Sequence, residues 1–324
     1  MTMQRLFEEW IIFRRDETAA KPATIRKDML IWRTHIKDAS VEGTPLCQLK
    51  VSKINTRMLF SFFRRFTKDR SYSRQTVNNL RGVLSGMFSY AIERNIIQSN
   101  PIKNLDLKRM TFKPVQSKRE DVFTIEEAQK LLEYLEYIED DPYALAIRLD
   151  FNLFARVGEI AGLTWENVDI KNRRIYICHQ MTYEPTLNDD LTFSEKIMVE
   201  EDYLKGCTSQ GYRTEYLTDE AVDILIKARE LNHDGRYVFM PFGKPIITNT
   251  FNKRLRKYCA KAGVTYHSSH KIRFYAASVA YDGNNISTIS QMMGHSQLST
   301  TMHYMRDVLQ NDDVSDIFKS LGKQ

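Results

Sequence analysis

The sequence predicts a mainly α-helical protein with a small β-sheet: a helical domain followed by a mixed α/β domain. Three observations predict it. The chain has 324 residues, more than one ordinary core holds, so two domains are expected. Apolar residues recur at helical spacing throughout residues 1–100. Strand-like pieces, at 174–177, 195–204 and 212–217, belong to the second part of the chain.

The first domain reads as four or so helices. Leu6, Trp10, Ile11 and Phe13 mark the first. Pro22 and Thr24 open a second, with Ile25, Met29, Trp32 and Ile36 on one face. Met58, Leu59, Phe62, Phe63 and Phe66 make a third. Ser73 begins a fourth carrying Val77, Leu80, Val83, Leu84, Met87, Phe88 and Ala91, which Asn100-Pro101 is expected to stop, since a residue before proline is pushed out of the α region. Residues 101–121 show no period and several basic residues, and read as an extended linker. Thr124, with Glu127 three residues on, forms a capping box that opens the second domain, 122–304. Within it, 195–204 and 212–217 flank a turn and read as a hairpin, and helices follow at 218–230, 249–262, 269–281 and 286–293. Residues 305–324 read as a short tail helix with apolar Val308, Val314, Ile317, Phe318 and Leu321.

Charge is unevenly spread. Residues 1–115 hold 22 Lys and Arg against 10 Asp and Glu, whereas the whole chain is only +6. A strongly basic first third is the footprint of a polyanion binder. No run of about 18 apolar residues and no secretion signal are visible, so a cytoplasmic, bacterial, DNA-associated protein that makes no membrane contact is expected. Cys47, Cys178, Cys207 and Cys259 are widely spaced and form no CxxC pair, so neither a zinc site nor a disulfide framework is expected.

The last part of the chain carries an ordered set of cationic and nucleophilic groups. Breaking a phosphodiester without a metal needs a nucleophile, cations for the non-bridging oxygens and a proton donor for the leaving sugar oxygen. Arginine suits the second task, because its planar fork grips phosphate oxygens in pairs. His270 and Arg273 lie three apart, on one helix face. His295 follows 22 residues after Arg273, and Tyr304 nine after that. Upstream, Arg156 sits in Phe154-Ala155-Arg156-Val157-Gly158-Glu159, where an apolar helix breaks.

These pieces resemble the tyrosine recombinase (lambda-type integrase) family. His270-Lys271-Ile272-Arg273 is similar to its His-x-x-Arg box, Met293-Gly294-His295 to its Leu-Gly-His segment, and Thr300-Thr301-Met302-His303-Tyr304 to its Thr-Thr-x-x-Tyr. Arg156-Val157-Gly158-Glu159 is similar to its first arginine in Arg-x-Gly-Glu. The resemblance implies a core-binding domain at 1–100 and a catalytic domain at 122–304. It implies a phosphate clamp of Arg156 and Arg273, a hydrogen-bond donor in His295, proton transfer through His270, orientation of the arginines by Glu159, and attack by Tyr304 to leave a 3′-phosphotyrosyl link. The family's hairpin lysine, which protonates the leaving oxygen, is assigned to Lys205, with Lys196 in reserve.

It also implies double-stranded DNA sites as substrate, a homo-tetramer passing through a Holliday junction, possible accessory bending or directionality factors, a tail docking on a neighbouring protomer, and no cofactor or metal. Groove contacts are assigned to Arg26, Arg74, Asn78 and Arg81. A mobile-element integrase is the favoured kind. Three departures stand out: Leu153-Phe154-Ala155-Arg156 replaces Thr-Gly-x-Arg, Phe274 replaces the box's second histidine, and Met293 replaces the leucine before Gly-His.

Taken singly these residues have blander readings. Tyr304 is one of 16 tyrosines. A lone His270 or His295 is more often a cap or core histidine, and a lone Arg156 more often an ion-pair partner of Glu159. Order and spacing together overturn those readings. Three alternatives are weighed: a type IB topoisomerase-like enzyme with the same chemistry on one duplex, a non-catalytic DNA-binding regulator on the same fold, and a metal-dependent nuclease, for which no carboxylate cluster is visible.

Overall fold

The computed structural model describes residues 1–68, 72–113, 122–201, 212–281 and 286–294. It resolves two compact units, Met1–Ser117 with Glu184–Ile197, and Lys118–Tyr183 with Met198–Gln324.

In the first unit, α1 (Met3–Asp16) starts at Thr2, whose hydroxyl accepts from the Arg5 amide and fills a bond the first helical turn cannot make. α2 (Pro22–Ile31) has proline in its first turn, where no amide is needed, and runs into a π-turn over Trp32–Ile36. A two-residue ladder, β1 (Ser40–Val41) and β2 (Thr44–Pro45), leads to α3 (Thr56–Lys68) and α4 (Arg74–Glu93). The apolar stripes read from the sequence meet in one core: Phe7 stacks on Trp32 at 4.4 Å, and Phe62 meets Phe63 and Phe66 edge to face.

Two expectations for this unit need correcting. The fourth helix ends at Glu93, not at Asn100-Pro101. Asn95 takes a left-handed conformation (φ 57°), which asparagine tolerates, and the Ile96 amide donates back to the Ala91 carbonyl at 2.8 Å. The stretch from 101 onward is not simply extended. Ile102, Leu105, Leu107 and Met110 are buried in the unit's core, and the Lys113 amide donates to the Tyr72 carbonyl. Residues Glu184–Ile197, which follow Arg156 in the chain, also pack here: Leu187 is buried in this core and Arg15 pairs with Asp189 at 3.2 Å.

The second unit opens with α5 (Ile125–Glu136), whose Thr124–Glu127 capping box forms in both directions. α6 (Pro142–Asn152) is buried on every side from Tyr143 to Phe151, as a helix at the centre of a core must be. The short α7 (Val157–Ala161) follows. Next come β3 (Val168–Asp169), β4 (Arg174–Ile177), β5 (Gln180–Glu184), β6 (Ile197–Glu201) and β7 (Arg213–Tyr216). Helices α8 (Asp219–Leu231), α9 (Thr248–Ala262), α10 (Ser269–Tyr281) and α11 (Ile286–Met292) complete the described residues.

The strands do not pair as the sequence suggests. β6 lies beside β5, while β7 pairs with β4 in an antiparallel β3-β4-β7 sheet, so among the described residues the expected pairing of 195–204 with 212–217 is not seen, and its turn lies outside them. Strand patterns show which segments extend, but pairing depends on which faces other elements bury. Among the described residues no helix is long and apolar enough to cross a membrane. The thiols of Cys47 and Cys259 are buried and unbridged.

Gly86 tests the packing of the first unit. A Cβ there would lie 2.7 Å from Trp10 Cζ2, in a side chain that is itself buried. Alanine is the better helix former by about 1 kcal/mol, yet we expect Gly86→Ala to lower stability by roughly 1–3 kcal/mol in chemical denaturation, because the clash outweighs propensity. A stabilised variant would contradict this packing.

Candidate active site

The site grows from the break between α6 and α7. The chain leaves α6 extended through Leu153 and re-enters helix at Arg156, which stands just before the first turn of α7 (φ −87°, ψ 150°). Glu159, three residues on, reaches back. Its carboxylate accepts from the Arg156 amide at 2.8 Å and from Arg156 Nη1 at 2.7 Å. Gly158 permits this turn to sit against β5, since a Cβ there would lie 2.9 Å from the Met181 carbonyl oxygen.

Glu159 is the hub. Its side chain is 0% exposed, and beyond Arg156 it meets Arg213 Nη2 at 2.8 Å and Arg273 Nη1 at 3.8 Å. Burial alone would raise its pKa. The adjacent Arg213, through charge and hydrogen bond, together with Arg273 and Arg156, reverses that and holds the carboxyl down to about 2. Arg273, on α10 and itself 1% exposed, also donates through Nη2 to the Met293 carbonyl, two residues before His295 in the chain. Gly294 follows with φ 62°, a conformation that favours glycine.

His270 lies on the same helix as Arg273, its ring edge-on to Phe274 at 5.1 Å. Its pKa is lowered, first by the surrounding protein and then by the charges of Arg273, Lys271 and Arg156. The residue keeps an exposed edge while crowded on its other side. These surroundings favour the neutral form of the imidazole, whose free nitrogen lone pair can accept a proton. Phe274, where the resemblance leads one to expect a histidine, packs with Ala277, Ile289 and Met293 in a small apolar cluster that also takes in Phe154. All three departures in the sequence thus meet in this one cluster.

The structure brings Arg156, Glu159, His270 and Arg273 into one neighbourhood. Lys205, His295 and Tyr304 lie outside the described residues, as do 305–324. The groove candidates belong to the first unit. Arg26 on α2 is exposed, with its guanidinium 5.7 Å from the Phe193 ring; Arg74 and Asn78 on α4 are exposed; Arg81 is half-buried. Lys27 meets Asn79 at 3.5 Å, so α2 and α4 lie beside each other at this point.

Sequence reasoning missed three members. Arg213 and Glu215, two apart on β7, are both buried against the loop that carries Arg156. Asp150, on α6, is fully buried and neither oxygen has a hydrogen-bond partner. Burial lifts its pKa well above the usual carboxylate range; Arg273 opposes the shift and Glu159 and Glu215 reinforce it. The signals were present: an aspartate inside an apolar helix, and two charged residues at strand spacing.

The profile of the phage integrase family matches residues 121–310. The chain belongs to the phage integrase family. Like other integrases of this family it is a tyrosine site-specific recombinase. Among its relatives, a tyrosine recombinase XerC-like protein of Caldanaerobacter subterraneus subsp. tengcongensis is 24% identical over 95% of this chain and 80% of the relative. The ICEBs1 integrase of Bacillus subtilis is 22% identical over 88% of this chain and 74% of its own length. The Tn1549 transposon integrase, solved in complex with transposon right end DNA, shares the fold at a TM-score of 0.68, with 20% identity and 94% of each chain covered.

Two titrations check this electrostatic arrangement. Glu159 has a folded pKa of about 2 against an ordinary 4.5, so its contribution to stability is fully present above about pH 4.5 and drains away as pH falls toward 2. Glu159→Gln is expected to cost roughly 3–5 kcal/mol at pH 7, because it strands buried guanidinium groups, and progressively less in acid melts. A deficit constant across that range would contradict the arrangement. Asp150 carries the opposite sign. Its folded pKa lies above the ordinary 3.8, so it opposes folding increasingly as pH rises past that value. Asp150→Leu should therefore raise the Tm at pH 7, with the gain shrinking toward pH 4; a lowered Tm at pH 7 would argue against a buried, unbonded carboxyl.

Proposed function

We propose that this recombinase cuts and rejoins duplex DNA through Tyr304, with Arg156 and Arg273 on the non-bridging oxygens of the scissile phosphate. The observation that carries the reading is the shared anchoring of those two guanidinium groups on Glu159, at 2.7 and 3.8 Å. Arginines fixed before substrate arrives spend no reorganisation on the transition state. Arg156 is the more exposed, at 30%, and so the more open to a phosphate from solvent, while Arg273 is almost fully enclosed.

The remaining roles follow from proton traffic. A free tyrosine titrates near about 10, so the phenol arrives protonated at neutral pH. His270, its pKa lowered by burial and by the charges of Arg273, Lys271 and Arg156, takes part in removing that proton, and the same charges favour the phenolate. His295 donates to a phosphate oxygen and Lys205 protonates the leaving 5′-oxygen. The product is a 3′-phosphotyrosyl ester that stores the bond energy, so rejoining needs no ATP. Paired DNA sites exchanged by a homo-tetramer through a Holliday junction complete the scheme, with the 305–324 tail docking on a neighbour. The DNA complex of the Tn1549 transposon integrase supports double-stranded DNA as the substrate. The basic first 115 residues supply most of the salt-dependent affinity, and Arg26, Arg74, Asn78 and Arg81 meet the grooves.

The test is a nicked suicide duplex bearing the chain's own recombination site. Wild type should form a covalent adduct that survives SDS, in EDTA as well as without it, and Tyr304→Phe should abolish it. An adduct that persists in that variant would place the nucleophile elsewhere. Relaxation of a supercoiled plasmid with no site present would favour the topoisomerase reading instead.

A further inference from the structure

The geometry points to Arg213, aligned by Glu215, as a positioning residue that sets the phosphate clamp from β7. The inference rests on the clamp reading of Arg156 and Arg273.

Arg213 makes three directional contacts with one guanidinium. Nη2 donates to the Phe154 carbonyl at 3.1 Å and to Glu159 at 2.8 Å, and Nε donates to Glu215 at 2.7 Å. Glu215 in turn accepts from the Phe154 amide at 2.8 Å. One residue pair on β7 therefore holds both backbone polar groups of Phe154, two positions before Arg156, and also holds the carboxylate to which Arg156 and Arg273 are tied. The backbone and the side chain of the clamp are fixed from the same strand.

The pair sits where the sheet alone would want apolar side chains. Arg213 is directly opposite Ile177 and Glu215 directly opposite Ile175, both of which are buried. The side chains of Arg213 and Glu215 are 6% and 2% exposed. Buried ion pairs seldom stabilise a protein more than apolar residues of similar size. Stability therefore does not account for charge at these positions, whereas the three-way contact with Phe154 and Glu159 does. It also fits the local sequence: Leu153-Phe154-Ala155 leads into Arg156, and the extended backbone there is held by side chains from another strand. Arg213 touches no reacting atom in this scheme; it acts through Glu159 and Phe154.

The experiment is single-turnover cleavage of the nicked suicide duplex by the full chain, as wild type, Arg213→Gln, Arg156→Lys and the double variant, at a temperature well below each melting point. A misplacement of about 1 Å costs on the order of 100-fold in rate, and that is the loss expected for Arg213→Gln, with the Kd for the intact duplex changed less than about threefold. If Arg213 works through Arg156, the two losses are not independent, and the double variant should fall little below the slower single variant. Glu215→Gln keeps the guanidinium but weakens its alignment, and should slow cleavage in the same direction by a smaller factor. It carries the test if Arg213→Gln does not fold. Cleavage at the wild-type rate in a folded Arg213→Gln or, failing that, in Glu215→Gln overturns the inference. So does a loss confined to DNA affinity, or a double variant whose loss is the product of the two singles. A wild type that forms no adduct overturns the clamp reading, and this inference with it.

Discussion

The catalytic unit is organised around one carboxylate taken wholly out of water. Glu159 survives as an anion there only because three guanidinium groups surround it, and those groups tolerate one another only because it lies between them. Each partner comes from a different element. Arg156 is delivered by the turn into α7, Arg213 by β7, and Arg273 by α10. Shifting any one of these elements would unbalance the charge at the centre, so the requirement constrains how α7, the sheet and α10 pack.

The same economy explains which residues nearby remain uncharged. Asp150 is as deeply buried as Glu159 but neither of its oxygens has a hydrogen-bond partner, and burial raises its pKa well above the ordinary value. Two carboxyls nine residues apart in the chain thus have their pKa values shifted in opposite directions, set by what faces them rather than by residue type. A surplus of positive charge is left over, and Arg156, the partly exposed member, presents it outward.

How much of this was legible in the sequence depends on range. Arg156, His270 and Arg273 could be read because their spacing follows from helix geometry and from a recognisable order. The core stripes of α1, α3 and α4 were legible for the same reason. Arg213 and Glu215 were not, because their meaning lies in contacts with residues some sixty positions earlier, as the Phe154–Glu215 bond spans 61. The partners of β6 and β7 were missed because extended segments announce themselves locally, while pairing is decided by the rest of the fold. The end of α4 was misplaced because Pro101 is a loud signal and Asn95 a quiet one. Lys205, His295 and Tyr304 stand on the sequence.

The excursion at Glu184–Ile197 has a topological consequence. The chain does not pass once from the first unit to the second; it goes over, comes back to bury Leu187 in the first unit's core and pack Phe193 against it, and returns. Three covalent crossings join what the residue order presents as two successive pieces. A nick near residue 118 would give two polypeptides, the second of which carries the 184–197 piece of the first unit, so neither would be whole if made separately.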